Sequence, residues 1–201
     1  MVTKHSNDYF TNHSYDSLNL ENLDPQSRAN FIEAKSGLNW DEYFMLLAMI
    51  TSFKSKDPAT KVGCVIVDSN NRQVTMGYNG MVAGIDESKL PWGKDKTVPL
   101  KYQKYGYVVH SEANAILHAP RSLEDCRMYV TLFPCNECAK LIASKKVKEV
   151  IFLSDKHKDQ EGTQMAKYLF DLAGIKYRQF VPGKNIFESL EQHLHKLQSE
   201  A

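Results

Sequence analysis

The chain has 201 residues, enough for one domain with terminal extensions, and its 25 Lys and Arg against 24 Asp and Glu leave a net charge of +1. That balance gives no electrostatic footprint for long nucleic acid, although a small anionic ligand needs only a local basic patch. No apolar run approaches the length needed to span a bilayer, and residues 1–10 lack the apolar core of a signal peptide. Of the four cysteines two form a Cys-x-x-Cys, and Cys64 and Cys126 lie in apolar, strand-like surroundings, which argues against a disulfide scaffold. A cytoplasmic protein with reduced thiols, bound to no membrane, is expected.

Residues 1–36 are rich in Asn, Ser, Asp and His without a sustained period and read as an N-terminal extension of uncertain order. Asn39 followed by Glu42 has the form of a capping box, and Phe44, Leu47, Ala48 and Thr51 recur at helical spacing, so a helix is predicted over 40–54. Asp57-Pro58 stops it. Two β-rich runs, 62–68 and 73–78, flank Ser69-Asn70-Asn71-Arg72 and read as a hairpin. Residues 79–104, interrupted by Gly80, Gly84, Pro91, Gly93 and Pro99, read mostly as loop. Helices over 111–119, 136–144 and 164–172 then alternate with strands over 128–133, 149–153 and 176–181. A hairpin followed by such alternation predicts an α/β fold, a mixed sheet flanked by helices, within a domain spanning 37–182. Ile186, Leu190, Leu194 and Leu197 share one face of a C-terminal amphipathic helix over 183–201.

The chemistry concentrates in two segments, His110-Ser111-Glu112 and Pro134-Cys135-Asn136-Glu137-Cys138, each at a predicted helix start. Cys135 and Cys138 are i and i+3, so their sulfurs face one way, and a helix N-terminus favours the thiolate. With the His110 imidazole they make three ligands suited to zinc, which leaves a fourth position for water that ionises near neutral pH. Glu112 stands beside them as a proton shuttle rather than a ligand. A closed site with Cys64, Cys126 or His118 as fourth ligand is disfavoured, because none belongs to a second paired-ligand motif. A redox Cys-x-x-Cys would leave His110 and Glu112 without a task.

His-x-Glu followed by Pro-Cys-x-x-Cys is the signature of zinc-dependent base deaminases. From about Trp40 to Val181 the chain resembles the deoxycytidylate (dCMP) deaminases of the cytidine deaminase superfamily. The likeness is carried by Ser55-Lys56-Asp57-Pro58, Gly77-Tyr78-Asn79-Gly80-Met81, Leu90-Pro91-Trp92, residues 129–140 and Ser154-Asp155-Lys156. The resemblance implies a three-layer α-β-α fold with a mixed five-stranded sheet, zinc-dependent hydrolysis of dCMP to dUMP and ammonia, and a homohexamer activated by dCTP, with Mg2+, and inhibited by dTTP. It implies zinc on His110, Cys135 and Cys138, with Glu112 carrying the proton. It also implies Asn79 on the sugar 3′-hydroxyl, and Ser55, Lys56 and Lys156 as candidates for the 5′-phosphate. Gly77, Asn79, Gly80, Met81 and Gly84 resemble the effector-binding loop.

Asn79-Gly80 has a competing reading, since Asn-Gly is the commonest hairpin-turn dipeptide. Three positions depart from the family pattern: Ser111 stands where Ala is frequent, Lys54 where a related member carries Arg, and His157 where Tyr is common. A deaminase acting on RNA or single-stranded DNA would share the zinc chemistry, but near-neutral charge and the lack of an Arg-rich, aromatic-interleaved groove count against it. A nucleotide-sensing protein without catalysis would have no use for Glu112.

Overall fold

Helix α1 (Trp40–Ser52) begins as the sequence predicts: the Asn39 side chain accepts from the Glu42 N–H at 2.9 Å, and the Glu42 carboxylate accepts from the Asn39 N–H at 3.0 Å. The computed structural model describes residues 24–26, 38–183, 191, 192, 195 and 197–199. Most of the N-terminal extension, and Ile186, Leu190 and Leu194 of the expected C-terminal helix, lie outside the described residues.

After α1 come β1 (Gly63–Val67) and β2 (Gln73–Tyr78), the expected hairpin, then a short β3 (Gly80–Met81). A long irregular segment with 3-10 turns at Glu87–Lys89, Leu100–Tyr102 and Lys104–Gly106 leads to β4 (Val108–Val109) and α2 (Ser111–Leu117). The remainder alternates as β5 (Arg127–Leu132), α3 (Asn136–Ser144), β6 (Glu149–Ser154), α4 (Glu161–Ala173) and β7 (Lys176–Gln179). The main sheet has five strands in the order β2-β1-β5-β6-β7, antiparallel as far as β5 and parallel from β5 to β7. This is the mixed five-stranded sheet implied by the resemblance. The pairing of β3 with β4 was not expected, because two-residue strands are too short to show an alternation.

Side chains of the central strands alternate between two buried layers, as the period of 2 requires. Val65, Val67, Tyr129 and Ile151 pack with Phe44, Met45 and Ala48 of α1 on one face. Cys64, Ile66, Met128, Val130, Val150 and Phe152 pack on the other with Ala115 of α2, Ile142 of α3 and Phe170 of α4. Full burial of a side chain such as Phe44 or Ile142 contributes about 1.5–3 kcal/mol, which holds three layers together around one sheet.

Two glycines set how closely the helices approach that sheet. A Cβ on Gly63 would lie 2.0 Å from the Ala48 carbonyl oxygen of α1. A Cβ on Gly77 would lie 2.4 Å from the Ser111 carbonyl oxygen and 2.5 Å from the Ala115 nitrogen. Helix α2 is thus seated directly on the β2 backbone, where Thr75 Oγ1 donates to the Ala115 carbonyl at 3.0 Å and Asn114 Nδ2 donates to the Tyr78 carbonyl at 2.8 Å. Gly77→Ala is expected to push α2 off this seat and cost about 1–3 kcal/mol, as overpacking in a tight core does. Urea unfolding of the variant checks the stability loss, and zinc content checks the displacement of His110.

Candidate active site

Strand β4 delivers the chain to His110, which takes an extended conformation at the N-cap of α2, and β5 delivers it through Phe133-Pro134 to Cys135, the N-cap of α3. Neither residue makes a side-chain capping hydrogen bond, so both side chains are left for other work. The two helix starts meet. His110 Nδ1 lies 3.4 Å from Cys135 Sγ and 3.5 Å from Cys138 Sγ. The ligand atoms of the three residues all fall within 4.8 Å of one another, and among the described residues no other His, Cys, Asp or Glu joins this group. His118 sits at the far end of α2, with Nδ1 2.9 Å from the Asn114 carbonyl, and all four cysteines are free.

The protonation of this trio tests whether a cation fits. The Cys135 thiol is held down at about 3, first by the hydrogen bond from Cys138, which outweighs burial, and further by His110. Cys138 is pushed far above the ordinary thiol range by the same bond, by burial and by the negative charge of Glu112. One thiolate forms easily and a second is suppressed. A divalent cation between them supplies the charge that allows both to ionise, so the donor set fits zinc.

Glu112 is 4 % exposed in the first turn of α2. Burial pushes its carboxyl up, opposed by His110, by a backbone N–H and by the Ser111 hydroxyl. Ser111, fully buried, donates from Oγ to Glu112 Oε2 at 2.7 Å. The residue that departs from the family pattern therefore touches the proposed shuttle directly.

His110, Cys135 and Glu112 line the floor of a cleft of about 350 Å³. One wall comes from Leu132 at the end of β5, Phe133 just after it, and His157 and Gln160 after β6, at the carboxyl ends of parallel strands where α/β folds bind ligands. The other wall is Asp57, Thr60, Val62, Asn79, Lys104 and Val108. Asn79 is thus in the cleft with the zinc ligands. Its Oδ1 accepts from the Val62 N–H at 2.8 Å, and its Nδ2 donates to the Thr60 carbonyl at 2.9 Å and to Asp57 Oδ2 at 3.3 Å. Neither Asn79 nor Gly80 has the positive φ that a type I′ turn demands, so the hairpin-turn reading of this dipeptide does not hold.

The other candidates are more scattered. Ser55 is buried and accepts from the Asp57 N–H at 3.2 Å, while exposed Lys56 pairs with Glu87. Lys156 reaches the cleft wall through Thr60 Oγ1 at 3.3 Å. Gly77 lies under α2, Gly80 and Met81 form β3, and Gly84 stands exposed at φ +85° with nothing near its Cβ position. Lys54 is exposed and His157 lines the cleft. Asp57 and Lys104 are cleft residues with no sequence signature: Asp57 reads as a helix stop and Lys104 as one of many loop lysines. Their contact spans 47 residues and leaves no local signal.

The sequence profile of the family described as "Cytidine and deoxycytidylate deaminase zinc-binding region" matches residues 38–154. The deoxycytidylate deaminase of Pongo abelii is 48% identical over 146 residues, covering 72% of this chain and 82% of that protein. That of Mus musculus is 49% identical over the same length and shares. Among solved structures, the dCMP deaminase from the cyanophage S-TIM5 in complex with dCMP and dUMP superposes with a TM-score of 0.54 at 20% identity, covering 79% of this chain and 99% of that one, which bears on the fold alone. A matched region of more than half the chain, with near-half identity to relatives covered over 82% of their length, makes this protein a member of the cytidine and deoxycytidylate deaminase family.

Proposed function

We propose that this protein hydrolyses dCMP to dUMP and ammonia in the cleft above His110, Cys135 and Cys138. The observation that carries the reading is a buried carboxylate, Glu112, beside a three-ligand cluster that opens into a cleft with a polar wall. It stands in a chain close to half identical to deoxycytidylate deaminases.

His110, Cys135 and Cys138 would hold zinc, which would supply a Lewis acid able to lower the pKa of a water molecule. Glu112 takes up the proton of the attacking water and delivers it to N3 of the cytosine as the oxygen adds at C4. The same carboxylate then takes the proton of the new C4 hydroxyl and passes it to the amino group, the C4–N bond breaks as the C4 carbonyl forms, and ammonia leaves. Burial suits Glu112 to this work, because a carboxylate with a raised pKa is a stronger base and holds the proton between uptake and delivery. Ser111 anchors one of its oxygens and keeps the side chain in one rotamer.

Asn79 takes the sugar 3′-hydroxyl. Both Nδ2 protons are already engaged, so the hydroxyl donates to the second lone pair of Oδ1. Of the phosphate candidates Lys156 is best placed, beside Thr60 on the wall; Lys56 would have to leave Glu87, and Ser55 is buried. The loop bearing Gly77, Asn79, Gly80, Met81 and Gly84 is proposed to take dCTP, with Mg2+, as activator and dTTP as inhibitor. Self-association, proposed as a homohexamer from the family resemblance, is consistent with the exposed apolar side chains Ile50 and Phe53 at the end of α1 and Met76 on the edge strand β2. Four free cysteines support a cytoplasmic setting. No helix among the described residues is long and apolar enough to cross a membrane.

The test is the loss of cytosine absorbance when the zinc-loaded protein meets dCMP, CMP or deoxycytidine, with and without dCTP and Mg2+. Turnover of dCMP that dCTP accelerates is expected; zinc-loaded protein inert on all three would overturn the reading. Glu112→Gln is expected to retain zinc and lose about 10²–10⁴ in kcat, the size of a general acid–base contribution. Full activity in that variant would remove Glu112 from the mechanism. The Ser111 hydroxyl stabilises the ionised form of Glu112, which must be charged to accept a proton. Ser111→Ala therefore raises the Glu112 pKa and moves the acid limb of kcat/KM to higher pH, as a pH-rate profile would report.

A further inference from the structure

Lys104 and Asp57 form an ion pair in the cleft wall, with Nζ 2.5 Å from Oδ2 and side chains 10% and 2% exposed. Deamination at C4 makes no use of this pair, and a buried pair of charges is a poor source of stability because both must leave water. Its geometry suggests a different purpose. Asp57 Oδ1 accepts from the Ala59 and Thr60 N–H groups at 2.8 and 3.2 Å, which fixes the carboxylate. Asp57 Oδ2 accepts from both Lys104 Nζ and Asn79 Nδ2, so ammonium and amide stand side by side against one oxygen.

We propose that Lys104 is a sugar-recognition residue that acts in concert with Asn79, and that Asp57 is the positioning residue that aligns the two. The inference rests on reading the cleft as a nucleotide site with Asn79 at the sugar. Asn79, locked by Val62, Thr60 and Asp57, offers the cleft only an acceptor. Lys104 gives one N–H to Asp57 and has two more, and it offers only donors. A hydroxyl group satisfies both, donating to Asn79 Oδ1 while accepting from Lys104 Nζ. A phosphate does not, because it has no proton to give Asn79 and would face the Asp57 carboxylate, whose charge is retained despite burial by the bond from Lys104 and by the backbone N–H groups. The pair as a whole is neutral, as suits a neutral partner. Lys104 also has little freedom to retreat: its own N–H donates to the Gly93 carbonyl at 2.7 Å, and its carbonyl accepts from Tyr107 at 3.0 Å.

The test compares dCMP with 2′,3′-dideoxycytidine 5′-monophosphate, which lacks the 3′-hydroxyl, as substrates of the zinc-loaded wild-type protein and of Lys104→Met. The wild type is expected to favour dCMP, and Lys104→Met to narrow that preference by about tenfold or more, the size of one hydrogen bond from a charged donor. The loss should fall on KM or kcat/KM for dCMP. Since Lys104→Met strands the Asp57 charge, the Asp57→Asn/Lys104→Met double variant is measured beside it. It removes both charges at the cost of one acceptor oxygen at position 57, and should show the same narrowing in a protein that still unfolds in a cooperative thermal transition. Equal losses on the two substrates in the folded double variant would make the pair merely structural and overturn the inference. An unchanged preference would overturn it equally. Wild-type protein that turns over neither substrate would refute the deaminase reading itself, and the inference with it.

Discussion

Everything at this site depends on two helix N-termini meeting at one point. Helix α3 reaches it directly from the end of the central strand β5, a route that needs only Phe133 and Pro134 between strand and first ligand. Helix α2 arrives differently, after a long irregular segment, and is positioned by what lies beneath it. Its backbone rests on β2 at Gly77, closer than any side chain would permit, and is pinned there through Thr75 and Asn114. A glycine expected to serve a ligand loop by its resemblance thus also has a packing duty. If α2 moved outward by the size of a methyl group, His110 would leave the bonding distance of both sulfurs, and Glu112 would move with it.

Charge in the cleft is arranged in compensating groups. The floor carries Cys135, His110 and Glu112, and the convergence of the His110 imidazole on both Cys135 and Cys138, with all three ligand atoms within 4.8 Å, is why the site reads as a metal centre rather than a redox pair. The wall carries Asp57 and Lys104, which cancel one another within 2.5 Å. Between them lies a cleft of about 350 Å³ that a neutral polar ligand could enter without leaving either charge uncompensated. Lys156 and Lys56 stand at exposed positions, where their charges remain hydrated.

The parts of this picture legible from sequence are those encoded within a few residues. The i, i+3 cysteines, the i, i+2 His and Glu, and the Asn39/Glu42 capping box each occupy one helical turn, and helix α3 begins and ends where its pattern says. Boundaries slipped where the local pattern was weak: α4 starts at Glu161 rather than 164, because Glu161 and Gly162 carry no apolar signal and glycine is a poor helix former. The strand order is a property of pairings distant in sequence, as between β1 and β5, and alternation alone does not specify it. Asn79 shows the limit most clearly. The dipeptide it begins is the strongest short hairpin signal, yet three partners, Val62, Thr60 and Asp57, hold it in an extended connection between β2 and β3.

That reversal has a consequence for specificity. An asparagine at a hairpin turn is free to rotate its amide and present either a donor or an acceptor, whereas here both Nδ2 protons are taken and the choice is gone. Discrimination is strongest when a buried polar group is left unpaired by the wrong ligand, since the penalty for an unmet hydrogen bond exceeds the gain from a met one. An amide locked as an acceptor beside an ammonium locked as a donor creates that condition twice within one cleft wall. The cost of burying Asp57 and Lys104 is then borne by the folded protein in advance, and a ligand with a hydroxyl at that point meets a surface already in the bound arrangement.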